Sequence, residues 1–328
     1  MKLLLTLLSP ILFLYTFFDF FFFLIFKKNT DISYRIFRKS FIASSGKIND
    51  FLSKLITLFS RKFTDQELSL LESVEPKLLD EKQNFISSLK TNGYYVFKNK
   101  MSLNKLFSLQ DSLNKIPLEY FDFDTNKYKA VKNIKNVKSN KLNRAKHSLV
   151  NNKEVLEWAL SKELVFLAQE YLGTKPICDL LASWISLPTQ DPKMISKAAQ
   201  NFHFDMDRIK FIKFFVYLTD VSEKNGPHAY IKGSHRNLPY KLRRDGRFTD
   251  NEILGYYGKD NSIEIKGQSG SIIAVDTRGF HKGVPLISGK RDILQVEFSN
   301  SLYGHNYEKS KILLNSLNST EKELLNNF

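Results

Sequence analysis

At 328 residues, with 42% hydrophobic and 13% aromatic content, the chain can bury a sizeable core and does not belong to the disordered class. Its single cysteine, Cys178, excludes an intrachain disulfide and a paired-cysteine metal site, so any metal must be held by histidine and carboxylate. The formal charge of +15 invites an anionic partner, although the joint richness in Lys, Asn, Ile and Phe is a bias that nucleotide skew in a genome can impose without selection for binding.

Residues 3–26, "LLLTLLSPILFLYTFFDFFFFLIF", form an apolar run that would extend about 36 Å as a helix, enough to cross a hydrocarbon core. Lys27 and Lys28 follow it in place of a small-residue cleavage site, which predicts a retained anchor (residues 1–28) rather than a signal peptide. Only Lys2 precedes the run, whereas Lys27, Lys28, Arg35, Arg38 and Lys39 follow, so a single-pass anchor would leave the bulk of the protein in the cytoplasm. Asp19 and Pro10 interrupt the pattern, and a buried carboxylate is costly in lipid, which keeps open a hairpin or interfacial helix that never crosses.

From Tyr34 to about Arg61 apolar residues recur at helical spacing between basic ones, with a break expected near Ser44–Gly46. Residues 29–63 therefore read as a basic amphipathic juxtamembrane segment or as helices packed on the following domain. That domain, 64–328, opens on "TDQE", a helix N-cap with acids in the first turn. Helices are expected at about 80–90, 103–115 and 152–172, with a strand at "YYVFKN" after the "NG" turn. The stretch 126–146 carries eight Lys or Arg and no acid, which predicts a solvated loop or a flap that meets an anionic substrate or lipid headgroup. After Cys178 the texture turns to short β-rich runs as far as about Tyr303, so the fold class is α+β with its strands in a sandwich or barrel of about 175–303.

In "NFHFDMD", residues 201–207, a strand would carry His203, Asp205 and Asp207 on one face, where a metal could find two ligands. His-x-Asp alone is a weak signal. It gains weight from "GSIIAVDTRGFHKGV", which supplies His281, and from Arg291 at the start of another strand. Two His and one carboxylate leave three positions open on octahedral Fe(II), and an arginine can clamp the far carboxylate of a keto-acid bidentately. On the last strand Arg291, Ile293, Gln295 and Glu297 share one face, and Leu294, Val296 and Phe298 the other.

"HFD", "FFVYLTDVSEKNGPHAYIKGSH", "GSIIAVDTRGFHKGV" and "KRDILQVEF", with "LKTNGYYVFKNKMS" upstream, resemble the phytanoyl-CoA dioxygenase family of Fe(II)/2-oxoglutarate oxygenases over roughly residues 80–303. The resemblance implies a double-stranded β-helix, a jelly roll of the cupin kind. Within it His203, Asp205 and His281 would bind iron, and Arg291 would pair with the distal carboxylate of 2-oxoglutarate. It implies O2 as oxidant, ascorbate as a useful reductant in vitro, and succinate and CO2 as products. Related halogenases lack the carboxylate, so Asp205 favours hydroxylation. Asp207 is the alternative ligand or a hydrogen-bond partner of the site.

Two positions depart from the family pattern. Gly283 stands where many members carry a small hydroxyl residue that helps hold the co-substrate, and Lys232 stands where proline is usual. Lys213 and Phe215 are the remaining candidates for co-substrate contacts, and Gln295 for the pocket wall. His235 is expected to cap its turn, and His228, His147 and His305 to be surface or hydrogen-bonded histidines. The pocket walls are expected from 184–200 and 236–262.

The sequence thus predicts a membrane-anchored, cytoplasm-facing oxygenase acting on a small-molecule, lipid-linked or saccharide-type substrate, with no nucleic-acid partner. The other reading is a non-catalytic cupin-like module that binds a metal or sugar at the membrane. An open metal site with an arginine clamp beside it argues for the enzyme.

Overall fold

The computed structural model describes residues 9–122, 124–133, 137, 139–313 and 316–325. Three helices lead: α1 (Ser9–Phe26), α2 (Asp31–Ser44) and α3 (Lys47–Phe59). The break between α2 and α3 falls where the sequence places it, because Ser45 and Gly46 both take positive φ, 55° and 83°, a conformation that ends a helix. Next come α4 (Asp65–Leu68), capped by the Thr64–Glu67 box, then α5 (Lys82–Thr91), β1 (Tyr94–Val96) and α6 (Leu103–Asn114).

The basic stretch is more ordered than a loop. After β2 (Leu118–Asp122) it contributes β3 (Lys127–Ala130) and β4 (Lys141–Arg144), while residues 134–136 and 138 lie outside the described residues. Arg144 explains part of this: its guanidinium donates to both carboxylate oxygens of Asp292 at 2.7 and 2.8 Å, tying β4 to a strand far along the chain. A short helix α7 (Lys146–Val150) comes first, and the single helix expected over 152–172 is divided in two, α8 (Lys153–Ala159) and α9 (Lys162–Leu172). Ser161, extended at the start of α9, interrupts the otherwise continuous apolar pattern.

The remaining elements are β5 (Ile177–Ser186), α10 (Pro192–Lys197), β6 (Phe211–Tyr217), β7 (His228–Ile231), α11 (Asp250–Tyr257), β8 (Ser262–Ile265), β9 (Ile272–Val275), β10 (His281–Gly283), β11 (Arg291–Ser299) and α12 (Ser319–Leu324). An eight-stranded antiparallel sheet runs β1-β9-β6-β11-β5-β4-β2-β3, and a three-stranded sheet runs β10-β7-β8. This α+β arrangement is compatible with a jelly roll.

Strand alternation decides where the site lies. Leu294, Val296 and Phe298 of β11, with Ile212, Phe214 and Val216 of β6, are buried against Phe85, Leu109, Trp158 and Leu167 of the helices. The opposite faces of those strands, carrying Arg291, Ile293 and Gln295 and Lys213 and Phe215, are left to line a cavity.

A second core holds the N-terminal helices to the domain. Phe20 and Phe23 of α1, Phe37 and Phe41 of α2 and Ile48 and Leu52 of α3 are buried with Phe204, Phe248, Phe280 and Tyr303. Asp19 is part of this contact: it accepts hydrogen bonds from Ser33 Oγ at 2.9 Å and Tyr303 Oη at 2.7 Å. Among the described residues no helix is long and apolar enough to cross a membrane. Residues 1–8 of the expected anchor lie outside the described residues.

Candidate active site

His203 and His281 face each other across two backbone hydrogen bonds, His203 N–H to His281 O at 3.0 Å and His281 N–H to His203 O at 2.8 Å. The expected strand through 201–207 is reduced to this bridge and its neighbour at Phe202, and Asp205 is held instead by its N–H donating to Thr277 O at 2.8 Å. The result is nevertheless convergent. His203 Nε2 lies 3.8 Å and His281 Nε2 3.5 Å from the Asp205 carboxylate oxygens. A facial set of ~2.1 Å bonds at right angles needs ligand separations of about 3 Å, so a small closure would grip an ion.

The tautomers suit that task. His203 Nδ1 meets Asn201 O at 3.0 Å and His281 Nδ1 meets Gly279 O at 2.9 Å, so both Nδ1–H groups donate to carbonyls and both Nε2 lone pairs point inward. Burial pushes the pKa of each imidazole below its ordinary value, and the bare nitrogens are ready to ligate. Burial alone would raise Asp205; Lys213 and the two imidazoles outweigh it and hold the carboxyl well below its usual range. The donor set is two neutral nitrogens and one carboxylate. Among the described residues these three alone form a cluster with metal-ligand spacing.

Lys213 works on the acid side. Its Nζ donates to Asp205 Oδ2 at 2.8 Å and Asp207 Oδ2 at 3.1 Å, and lies 3.1 Å from Glu297. Burial favours the neutral amine, but these three acids raise the lysine well above its ordinary pKa. It is therefore engaged with the acids and orients Asp205, rather than waiting for a co-substrate. Asp207 is the hydrogen-bond partner and not part of the metal-spaced cluster.

At the other side of the cavity, about 240 Å³, Arg291 is 4% exposed. Its Nε and Nη1 have no hydrogen-bond partner, and Nη2 has only a long 3.4 Å contact to Ser186 Oγ. A buried guanidinium with unpaired N–H groups is expensive unless an anion arrives. Gly283 makes this pose available, because a Cβ there would stand 2.6 Å from Arg291 Nη2. The missing hydroxyl residue is thus replaced by space for the arginine.

Several lining residues were not legible in the sequence. His228 is no surface histidine: it lines the cavity, and its ring stacks on His281 at 5.5 Å with 8° between planes. Lys141, hidden within the basic stretch, lines this cavity and the adjoining depression of about 310 Å³, with its Nζ 4.4 Å over the Trp184 ring. Burial, helped by Arg291 and Lys213, lowers its pKa to about 8. Of the two expected wall segments, 184–200 contributes Trp184, Ala198 and Ala199, and among the described residues 236–262 contributes none.

Open positions on a facial His-Asp-His set, beside an unpaired cation within an antiparallel β fold, are what a non-haem iron oxygenase that consumes a keto-acid requires. Residues 89–292 match the phytanoyl-CoA dioxygenase (PhyH) family, and the chain belongs to it. It is an Fe(II)/2-oxoglutarate-dependent oxygenase. No curated protein sequence matches the chain.

Similar solved structures include AviO1 from Streptomyces viridochromogenes Tue57, at 12% identity and TM-score 0.43, covering 66% of this chain and 94% of that one. HygX from Streptomyces hygroscopicus, with nickel and 2-oxoglutarate bound, is similar at 14% identity and TM-score 0.46, covering 68% and 88%. The non-haem alpha-ketoglutarate-dependent epimerase SnoN of nogalamycin biosynthesis is similar at 11% identity and TM-score 0.49, covering 67% and 83%.

Proposed function

We propose that the chain hydroxylates a small-molecule or lipid-linked substrate at a membrane surface, with His203, Asp205 and His281 holding Fe(II) and Arg291 holding the distal carboxylate of 2-oxoglutarate. What carries this is the convergence of two bare Nε2 atoms and one carboxylate in a cavity whose other polar wall is an unpaired guanidinium. When bound, iron would activate O2 as the oxidant, with 2-oxoglutarate giving up two electrons and taking one oxygen atom to leave as succinate and CO2. The chain's own residues do the rest: Gly279 O and Asn201 O fix the imidazoles, and Lys213 orients Asp205. Lys141 gives the entrance a positive character that favours anionic substrates. The full chain, purified without oxygen and then given Fe(II), 2-oxoglutarate, ascorbate and oxygen, is expected to form succinate even without substrate. The absence of both succinate and 2-oxoglutarate binding from the metal-loaded chain would refute the oxygenase and leave the binding module.

The membrane part rests on the outer face of α1. Ile11, Leu14, Phe18, Phe22 and Ile25 follow one another at helical spacing and are exposed, Phe18 at 66% and Ile25 at 72%. A groove of about 410 Å³ lined by Phe21, Leu24, Leu55, Ile56 and Phe59 continues that surface onto α3, and Lys27 and Lys28 stand at its end. Apolar side chains backed by cations suit an anionic bilayer face. Lipid all round α1 would break the Asp19 bonds to Tyr303 and Ser33, so a helix lying along the membrane is favoured over one crossing it. The full chain is expected to float with vesicles of phosphatidylcholine and phosphatidylglycerol, and Phe18→Asp/Ile25→Asp to sink. Wild-type protein left at the bottom of the gradient would remove the membrane from the proposal without touching the chemistry.

A further inference from the structure

We infer that His228 is a second donor, beside Arg291, to the distal carboxylate of 2-oxoglutarate. The inference rests on the oxygenase reading above and adds a residue to it.

The strand register makes the argument. In the antiparallel pair of β7 and β10, His228 stands opposite Gly283 and Tyr230 opposite His281. Residues directly opposite share a face, and so do residues two apart, so His228, Gly283 and His281 look to the same side. That side is the cavity, which all three line. Since Gly283 has no side chain, Arg291 Nη2 lies over it, within 2.6 Å of where a Cβ would be. His228 and Arg291 are thereby brought beside the same small volume.

Neither is satisfied there. His228 Nε2 is out of reach of solvent and has no hydrogen-bond partner, and the same holds for Nε and Nη1 of Arg291. Three orphaned nitrogens in one cavity outnumber what packing alone explains, because buried polar groups in folded proteins are nearly always paired. The nearby cation Lys213 is already taken up by Asp205, Asp207 and Glu297. A carboxylate has about four lone-pair sites on its two oxygens, so it can take the planar fork of Arg291 bidentately and still accept an imidazole N–H from His228. The ring is held for that role between His281 at 5.5 Å and Phe215 at 5.5 Å. The alternative role, a spacer that steadies His281, would act on the metal instead.

The full chain loaded with Mn(II) in the absence of oxygen separates these roles. 2-Oxoglutarate and 2-oxobutanoate, which lacks the distal carboxylate, are titrated calorimetrically into wild type, His228→Leu and His228→Gln. His228→Leu is expected to weaken 2-oxoglutarate about tenfold, as for loss of one hydrogen bond to a charged group. Its Mn(II) and 2-oxobutanoate affinities should stay at wild-type values, and His228→Gln, which keeps an N–H, should recover most of the loss. Unchanged 2-oxoglutarate affinity in His228→Leu overturns the assignment while leaving the oxygenase intact. Equal loss of both keto-acids together with Mn(II) overturns it in favour of the spacer. Wild type that binds Mn(II) but no 2-oxoglutarate defeats the oxygenase reading itself, and this inference with it.

Discussion

Asp205→Ala is expected to lower iron-dependent succinate formation by at least about 10³-fold and Fe(II) affinity by more than the ~10²-fold typical of losing a group behind a ligand. The reason is charge as much as geometry. His203 and His281 are neutral donors, so Asp205 supplies the one negative charge in the set. Without it a dication would face two imidazoles and the Lys213 ammonium. The fold should survive, because Asp205 is partly exposed and Lys213 keeps Asp207 and Glu297 as partners. Succinate by chromatography, metal titration and the melting curve are measured on the same preparation. Succinate at the wild-type rate from a folded variant would show that the metal is held elsewhere.

The parts of this site that the sequence disclosed are those set by local rules. Alternation along β11 sends Arg291, Ile293 and Gln295 to the cavity and Leu294, Val296 and Phe298 to the helices, as a period of two requires. The helix break at Ser45 and Gly46 is equally local. What stayed hidden depends on register between strands far apart in the chain. Nothing around His228 reveals that Gly283 lies opposite it, nor around Lys141 that Trp184 lies beneath its ammonium. Lys213 was legible as facing inward, but its three acid partners come from two segments that only folding unites.

Asp19 illustrates the same limit in the other direction. In the sequence it is a blemish in an apolar run, and the partner that accounts for it, Tyr303, is almost the whole chain away. The alternation of buried Phe20 and Phe23 with exposed Phe18, Phe22 and Ile25 becomes visible only once one side of α1 has something to pack on.

Arg291→Ala is the second variant with a large expected effect, a rise of about 10²-fold in the 2-oxoglutarate concentration needed for half-maximal succinate formation. A bidentate charge-assisted pair in a buried site supports that size, at about 1.5–3 kcal/mol for hydrogen bonds to a charged group. Saturating co-substrate should restore much of the rate, because Arg291 holds the far end of the keto-acid and not the reacting atoms. Arg291→Lys should recover only part of the affinity, since an ammonium lacks the planar fork. The thermal transition of the ligand-free protein supplies an independent check. Arg291 is a buried cation with two unpaired nitrogens, Nε and Nη1, so its removal is expected to leave the melting temperature unchanged or higher. A residue whose loss weakens co-substrate binding while relieving the empty fold is one that the fold tolerates for its ligand. A fall in melting temperature with no change in 2-oxoglutarate requirement would instead make Arg291 a structural cation and require another anchor for the carboxylate.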